Sequence, residues 1–404
     1  MGFAKRWQME QWERGFNYVA DKYVCGDCVD DEPLRRYIRE RTESTTCSYC
    51  EREAGEPIAC ELDLLLQAFA DAIAVDWRDA IDQMPYDGDD WALPEANRHI
   101  YELLADGDLG VDVHPELFDD VVKAFSDRVF APRYFFDVGP EDALNFSWDA
   151  FVDQVSHHTR YLFPLGLGMR AELAGLKVPP ERMLSQIGTM ARDHELVRSV
   201  PAGTVFARAR LHERAEAARP ASAAALGTPP SMFATRSNRM SPLGIPMFYG
   251  AVDEETVVAE ATSSGWSVTH DLTIGWFETL RDLNLLDLSE LPPIPSLFEP
   301  ESLDVRPSVI FLHRFAREVN KPVAPDALEH IEYVPTQIVT EYFRHGFEPE
   351  FGVPIDGIRY RSAIRDGGVC VVLFVDNEQC VDDPESLVGV LLLIQAYSLL
   401  RPNH

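Results

Sequence analysis

Basic side chains are scarce in this chain. Its 404 residues set 36 Lys and Arg against 67 Asp and Glu, a formal net charge of −31, and so acidic a surface repels a phosphate backbone. Nucleic acid is thereby excluded as an expected partner, whereas a basic protein would be steered in. Long apolar runs are missing too. The longest, Leu387 to Leu400, is interrupted by Gln395 and too short to cross a bilayer, so it reads as a buried C-terminal helix with Asp383 and Pro384 as its N-cap and first residue. The opening MGFAKRWQMEQWERGF has no apolar core of signal-peptide length, and Arg6 stands where a myristoylation signal carries Ser or Thr. The expectation is a cytoplasmic protein with no membrane partner. Cysteine is limited to seven residues, four of them in two close pairs, which suits a reducing compartment and a metal better than a disulfide framework. Between residues 200 and 404 there is no Ser-His-Asp order, nucleophile elbow, phosphate-binding loop or metal-hydrolase motif. The usual hydrolase and kinase readings lack their parts.

What is present is ample for folding. A hydrophobic fraction of 46% with 25% charged residues belongs to a folded chain, and the length implies two or three domains. Phe3, Trp7, Trp12, Phe16, Val19 and Tyr23 predict an amphipathic helix leading into Cys25-Gly-Asp-Cys28. With Cys47-Ser-Tyr-Cys50, this spacing predicts a structural zinc held by Cys25, Cys28, Cys47 and Cys50, since each pair presents two sulfurs to one tetrahedral ion. Four thiolates leave no open position for catalysis, and Cys60 reads as a core residue. Leu62, Leu65, Leu66, Phe69, Ile73, Trp77 and Ile81 predict one long helix from Glu61 to Met84. Acidic loops near 86–91 and 105–113 and further helices near 115–127, 147–163 and 179–197 complete an all-helical expectation up to about residue 198. The string from Gly166 to Ala171 matches a dinucleotide fingerprint but lacks the strand that the motif requires before it, so it reads as a loop. His157 and His158 read as members of a helix face.

After Val200 the texture changes. GTVFARARL, 203–211, predicts a strand with Arg208 and Arg210 on one face, and Ile245 to Tyr249 predicts another, followed by a helix capped by Asp253. Val309 to Phe315 is apolar and follows a Pro-rich linker, LPPIPSLFEP. Residues 358–362 and 369–375 predict a hairpin through Arg365-Asp-Gly-Gly368, with Ser362 near a strand end. Arg208, Arg210 and Arg239 supply forked cations suited to a diphosphate, Tyr249 a face for a flat ring, and Glu260 a carboxylate for an oxocarbenium-like sugar carbon. On residue types alone, surface ion pairs are the commoner use of such arginines and a glutamate.

The order of these pieces resembles the RES family, named for its Arg, Glu and Ser. GTVFARAR, NRMSPLGIPMFYGAVDEETVVAE, YVPTQIVTEYF and DGIRYRSA followed by an apolar strand carry the resemblance over residues 203 to 375. It implies an α+β chain: a helix plus four-Cys zinc module over 1–60, a helical HEPN-like domain over 61–198, and an ADP-ribosyltransferase-like RES domain over 199–404. It implies NAD as substrate, with cleavage of the nicotinamide–ribose bond by hydrolysis or phosphorolysis, in a toxin–antitoxin or defence setting with an Xre-type antitoxin or other regulatory protein. Arg208 would be the family arginine, with Arg210 its register alternative, Arg239 the second arginine, Tyr249 the aromatic, Glu260 the acid and Ser362 the serine. The helical half lacks the Arg-x4-6-His pattern of ribonuclease-active relatives, so RNA cleavage is not expected. ADP-ribose transfer to a protein is the second enzyme reading, and a non-catalytic nucleotide-binding sensor or scaffold is the third. A homo-oligomer fits any of the three.

Overall fold

The computed structural model describes residues 14–82, 97–134, 138–166, 176–213, 221–235, 237–263, 265–266, 269–321 and 329–399. Most of the expected leading helix, the 86–91 loop and most of the Gly166–Ala171 string lie outside these residues. The chain divides into two compact units, Met1–Asp142 with Ile294–Pro307, and Ala143–Pro293 with Ser308–His404.

In the first unit, β1 (Tyr23–Cys25) pairs antiparallel with β2 (Ala59–Glu61), and α1 (Glu32–Arg39) starts on Asp31, whose carboxylate accepts from the Leu34 amide at 2.8 Å. Next comes α2 (Leu62–Asp76). It buries the expected stripe of Leu62, Leu65, Leu66, Phe69 and Ile73, but it ends earlier than the pattern predicts. Trp77 begins β3 (Trp77–Asp79), which joins β4 (Arg98–His99) and β5 (Val129–Pro132) in a three-stranded antiparallel sheet, and Ile81 is 60% exposed. Pairing with β5 thus overrides the helical period, and the helical expectation is corrected by this small sheet. Helices α3 (Ile100–Ala105) and α4 (Pro115–Ala124) complete the unit. Its core gathers Val24, Cys60, Phe69, Leu103, Val121 and Phe125.

The Pro-rich stretch expected as a linker contributes to that same core. Leu297 and Phe298 are buried there, Phe298 lies edge-on to Phe69 at 5.1 Å, and Glu299 pairs with Arg36 at 2.7 Å. Two large apolar side chains among five residues outweigh the prolines.

The second unit takes up α5 (Pro140–Asp153), α6 (Met183–Asp193), β6 (Val197–Val200), β7 (Val205–Glu213), α7 (Ala223–Leu226), β8 (Phe248–Ala251), α8 (Glu254–Thr262), β9 (His270–Thr279) and β10 (Leu283–Asp287). Beyond these come α9 (Arg306–Asn320), α10 (Val334–Glu341), β11 (Gly357–Arg361), β12 (Val369–Leu373), β13 (Cys380–Val381) and β14 (Leu391–Leu399). One nine-stranded sheet organises them in the order β13-β14-β9-β7-β8-β12-β11-β10-β6. The predicted C-terminal helix is therefore a strand. β14 lies antiparallel to β9 along its whole length, with a bulge between Leu393 and Gln395. Eight residues of β9, Leu272 to Thr279, need a partner on that side, and the apolar run supplies one.

The sheet has two buried faces. Phe206, Phe248, Phe277, Leu285, Val371 and Leu373 fill one, while Leu286, Ile358 and Val372 pack on the other against Phe311 and Phe315 of α9 and Val339 of α10. The predicted hairpin is present, with Ile358 opposite Val372 and Arg361 opposite Val369. Its turn needs Gly367, at φ +72°, and Gly368, where a Cβ would stand 2.8 Å from the Thr256 hydroxyl and 3.1 Å from the Arg365 carbonyl. Thr256 cannot swing aside, because Asp253 holds both its hydroxyl and its amide. Gly368→Ala is expected to cost about 1–3 kcal/mol, read as a melting temperature lowered by several degrees. An unchanged melting temperature would show that the turn yields.

Candidate functional site

Helix α8 starts where Asp253 caps it, its carboxylate accepting from the Thr256 amide at 2.8 Å and the Thr256 hydroxyl at 2.7 Å. The turn of the β11–β12 hairpin is tied to the same helix start, since Arg365 donates to Thr256 at 3.1 Å and pairs with Glu255. These ties set the distance between the far end of α8, where Glu260 stands, and the end of β11, where Ser362 stands. The Ser362 hydroxyl donates to Glu260 Oε1 at 2.5 Å and accepts from the amides of Ile364 at 3.1 Å and Arg365 at 3.0 Å. With both acceptor positions used by backbone, its proton is aimed at the carboxylate.

Cys370, on β12, was not anticipated. Its buried thiol reaches the same Glu260 oxygen at 3.6 Å, and burial, reinforced by that carboxylate, pushes it up to about 12. It is a neutral wall at working pH and not a nucleophile. The pairing of Cys370 with Ala251 and of Tyr360 with Cys370 puts Tyr360 beside it, where burial raises the phenol well above its usual range. No periodicity in the sequence announces these neighbours. They follow only from the order β8-β12-β11.

Tyr249 is on that face as well, opposite Val372 and two residues before Ala251. Its hydroxyl meets Ser241 Oγ at 2.9 Å and accepts from the Met240 amide at 3.3 Å, and burial pushes it up to about 12. The tyrosine is thus tied to the loop that carries Arg239, whose guanidinium donates to the Val319 carbonyl at 2.8 Å. That loop is clamped from α10. Gln337 Nε2 donates to Ser237 Oγ and to the Asn238 carbonyl, each at 2.8 Å, and the Thr336 hydroxyl donates to the Arg239 carbonyl at 2.6 Å. Thr336, Gln337 and Thr340 are all buried on this helix, and nothing in the sequence pattern set them apart from solvent-facing polar residues. Gln337→Ala would strand the loop's polar groups and is expected to cost roughly 1–3 kcal/mol, measured as a loss of denaturant midpoint. A midpoint within error of wild type would mean that the loop holds itself.

Arg208 and Arg210 sit differently. Ala207 faces Ala251 and Val257, so the arginines alternate to the side of Phe206 and Phe248. The β7–β8 ladder pairs only Ala207 with Ala251 and then parts. In that parting Arg208 donates to the Tyr249 carbonyl at 2.9 Å with its guanidinium 5.1 Å from the Phe248 ring, and its Nε has no partner. Burial lowers its pKa to about 10, which leaves it a cation at neutral pH. Arg210 is exposed and donates to the Ala225 carbonyl at 2.6 Å. Glu260, Ser362, Tyr249 and Arg239 therefore belong to one face of the sheet, and Arg208 meets them only through the Tyr249 backbone.

At the other candidate centre, Cys25 closes β1, Cys28 ends a short 3-10 turn, and Cys47 and Cys50 lie in a following loop. The sulfurs of Cys25 and Cys28 are 3.8 Å apart, those of Cys25 and Cys50 3.5 Å, and those of Cys28 and Cys47 3.6 Å. Metal–sulfur bonds of about 2.3 Å in a tetrahedron place sulfurs roughly 3.8 Å apart, so the set fits such an ion. The Cys25 amide also donates to Cys47 Sγ at 3.4 Å. The paired histidines show no such convergence: His158 faces Asp153 at 3.4 Å. No helix among the described residues is long and apolar enough to cross a membrane.

Comparison with known proteins agrees with the motif order. Residues 206–393 match the family model described as RES domain, and residues 40–165 match HEPN/RES N-terminal domain 1. No curated protein and no solved structure matches the chain.

Proposed function

We propose that this chain, which carries a RES domain behind an HEPN/RES N-terminal domain, cleaves NAD between nicotinamide and ribose as a toxin-like enzyme. The observation that carries the reading is the Glu260 carboxylate, oriented by a serine that two backbone amides fix in place. Nicotinamide departs with the bonding electrons as a neutral molecule, and Glu260 stabilises the positive charge left on the ribose. Tyr249, neutral and tied to Ser241, offers its ring to the nicotinamide or its ribose. Arg239, giving up its present carbonyl partner, holds the diphosphate on the face that carries Glu260, while Arg208 on the other face braces the Tyr249 backbone. Water or phosphate then takes the ribosyl carbon. An acceptor protein would make the same chemistry an ADP-ribosyl transfer.

In this reading the four cysteines hold a structural zinc, and an Xre-type antitoxin or other regulatory protein restrains the site. Incubating the purified chain with NAD, with and without phosphate, and following free nicotinamide tests the proposal. Nicotinamide should accumulate in step with NAD loss. No release under either condition, with NAD still bound, would leave a nucleotide-binding sensor in its place.

A further inference from the structure

A second cleft, of about 650 Å³, opens beside the end of β11 and α9. Its walls include Arg317 and Asn320 from the last turn of α9, Lys321 immediately after it, Arg361 from β11, and Ser289 and Glu290. Arg317 lies in the last turn of α9, Lys321 just past its end, and Arg361 at the end of β11, so three elements of the chain bring cations to one concavity. The charges of this cleft are unusual for the chain. With 67 acidic residues against 36 basic ones, a cation has many carboxylates to choose from, yet among the described residues neither Arg317 nor Lys321 forms an ion pair. Arg361 donates its Nε to the Ser289 carbonyl at 2.7 Å, and among the described residues its two terminal nitrogens have no partner. The acidic residue in the wall, Glu290, is already taken by Arg198 at 2.8 Å. Asn320 adds a buried side-chain oxygen with no hydrogen-bond partner.

We infer that this cleft binds a phosphomonoester dianion. Three exposed cations that form no ion pair among the described residues share one concavity of a strongly acidic protein, a local excess of positive charge that a dianion would complement. The arginine forks match the edge of a phosphate, and lysine adds a point charge. The Asn320 amide is left for a hydroxyl carried by the same ligand. The cleft also borders the proposed reaction centre: Arg361 and Ala363 flank Ser362, and Asn320 follows Val319, whose carbonyl receives Arg239. The site is separate from the diphosphate clamp, because it uses neither Arg208 nor Arg239. Its ligand is a free phosphate or the extra phosphate of a 2′-phosphorylated nucleotide, two sources of one chemistry.

The experiment uses the full chain carrying Glu260→Gln, in which NAD is cleaved roughly a thousandfold more slowly, so that binding is read apart from cleavage. Inorganic phosphate, NAD and NADP are titrated separately and followed by phosphorus NMR and calorimetry. Saturable phosphate binding should weaken by about tenfold or more when Arg317→Glu and Lys321→Glu are combined, and should persist when Lys123→Glu is made on another helix. The milder pair Arg317→Gln and Lys321→Gln should give an intermediate loss and guards against misfolding of the charge reversal. If NADP binds tighter than NAD and the α9 variants erase the difference, the source is the nucleotide. If inorganic phosphate shows the whole effect, it is free phosphate. Failure of all three probes to depend on Arg317 and Lys321 overturns the site, as does capture of an acidic peptide in place of phosphate. Because this experiment reads binding and not cleavage, a negative result here leaves the NAD reading standing, and a failed NAD assay leaves this site standing.

Discussion

Glu260→Gln should lower nicotinamide release from NAD by roughly a thousandfold while the chain keeps its melting temperature. The substitution preserves shape, and the amide oxygen can still accept from the Ser362 hydroxyl that now lies 2.5 Å from the carboxylate. Only the charge is lost. Because that charge acts on a cation that exists in the transition state and not in bound NAD, kcat should carry the loss and KM should move little. Ser362→Ala tests the other half of the contact. It leaves the carboxylate charged but free to turn, and a loss of about 10- to 100-fold is expected for misplacement alone. The pH profile gives an independent check. Tyr249 and Cys370 are both pushed up to about 12 by burial, so neither changes charge in the working range. A limb between neutrality and mild alkali would not come from these residues, and a phosphate acceptor, which titrates near neutrality, would be its natural source. A Glu260→Gln enzyme within tenfold of wild type would remove the carboxylate from the chemistry.

The parts of this site that were legible in the sequence are those set by local physics. Asp253 before a helix, a Gly-Gly turn between two apolar alternations, and two Cys pairs at knuckle spacing each dictate their own geometry, and each is found where the pattern put it. What failed was decided by distant partners. Leu391–Leu399 is a strand because β9 runs alongside it, and no property of an apolar run separates that outcome from a buried helix. Likewise Arg208 and Arg239 read as equivalent cations, yet the alternation of β7 and the loop held by Gln337 deliver them from different sides of Tyr249. The order of three strands was needed before the meeting of Cys370 with Glu260, and of Tyr360 with Cys370, could be known. The constellation was thus visible as a set of residue types, while the sheet alone reveals which of them share a face.

Removing the metal proposed for Cys25, Cys28, Cys47 and Cys50 should have the largest effect on stability. Zinc bound by four thiolates contributes apparent free energies of about 10–16 kcal/mol in small zinc modules, comparable to the whole stability of an ordinary domain. The cluster here is more than an appendage. Cys25, Cys28 and Cys47 are buried in the same core as Val24, Leu34, Cys60 and Leu62, and Tyr49, between Cys47 and Cys50, donates to Asp120 at 2.9 Å on α4. Losing the ion would leave four close sulfurs with no common partner and free the loop that carries Tyr49. Elemental analysis should therefore find one zinc per chain. Cys28→Ala or a strong chelator should release it and open the first unit to protease, while the second unit, with its own two-faced core, should resist longer. The discriminating variant is Cys60→Ala, which removes a buried sulfur from the same core but no ligand. It should cost only the roughly 1–2 kcal/mol of a small cavity and keep its zinc. Equal metal content in the Cys28 and Cys60 variants, or a first unit indifferent to chelation, would show that the four sulfurs pack together without an ion.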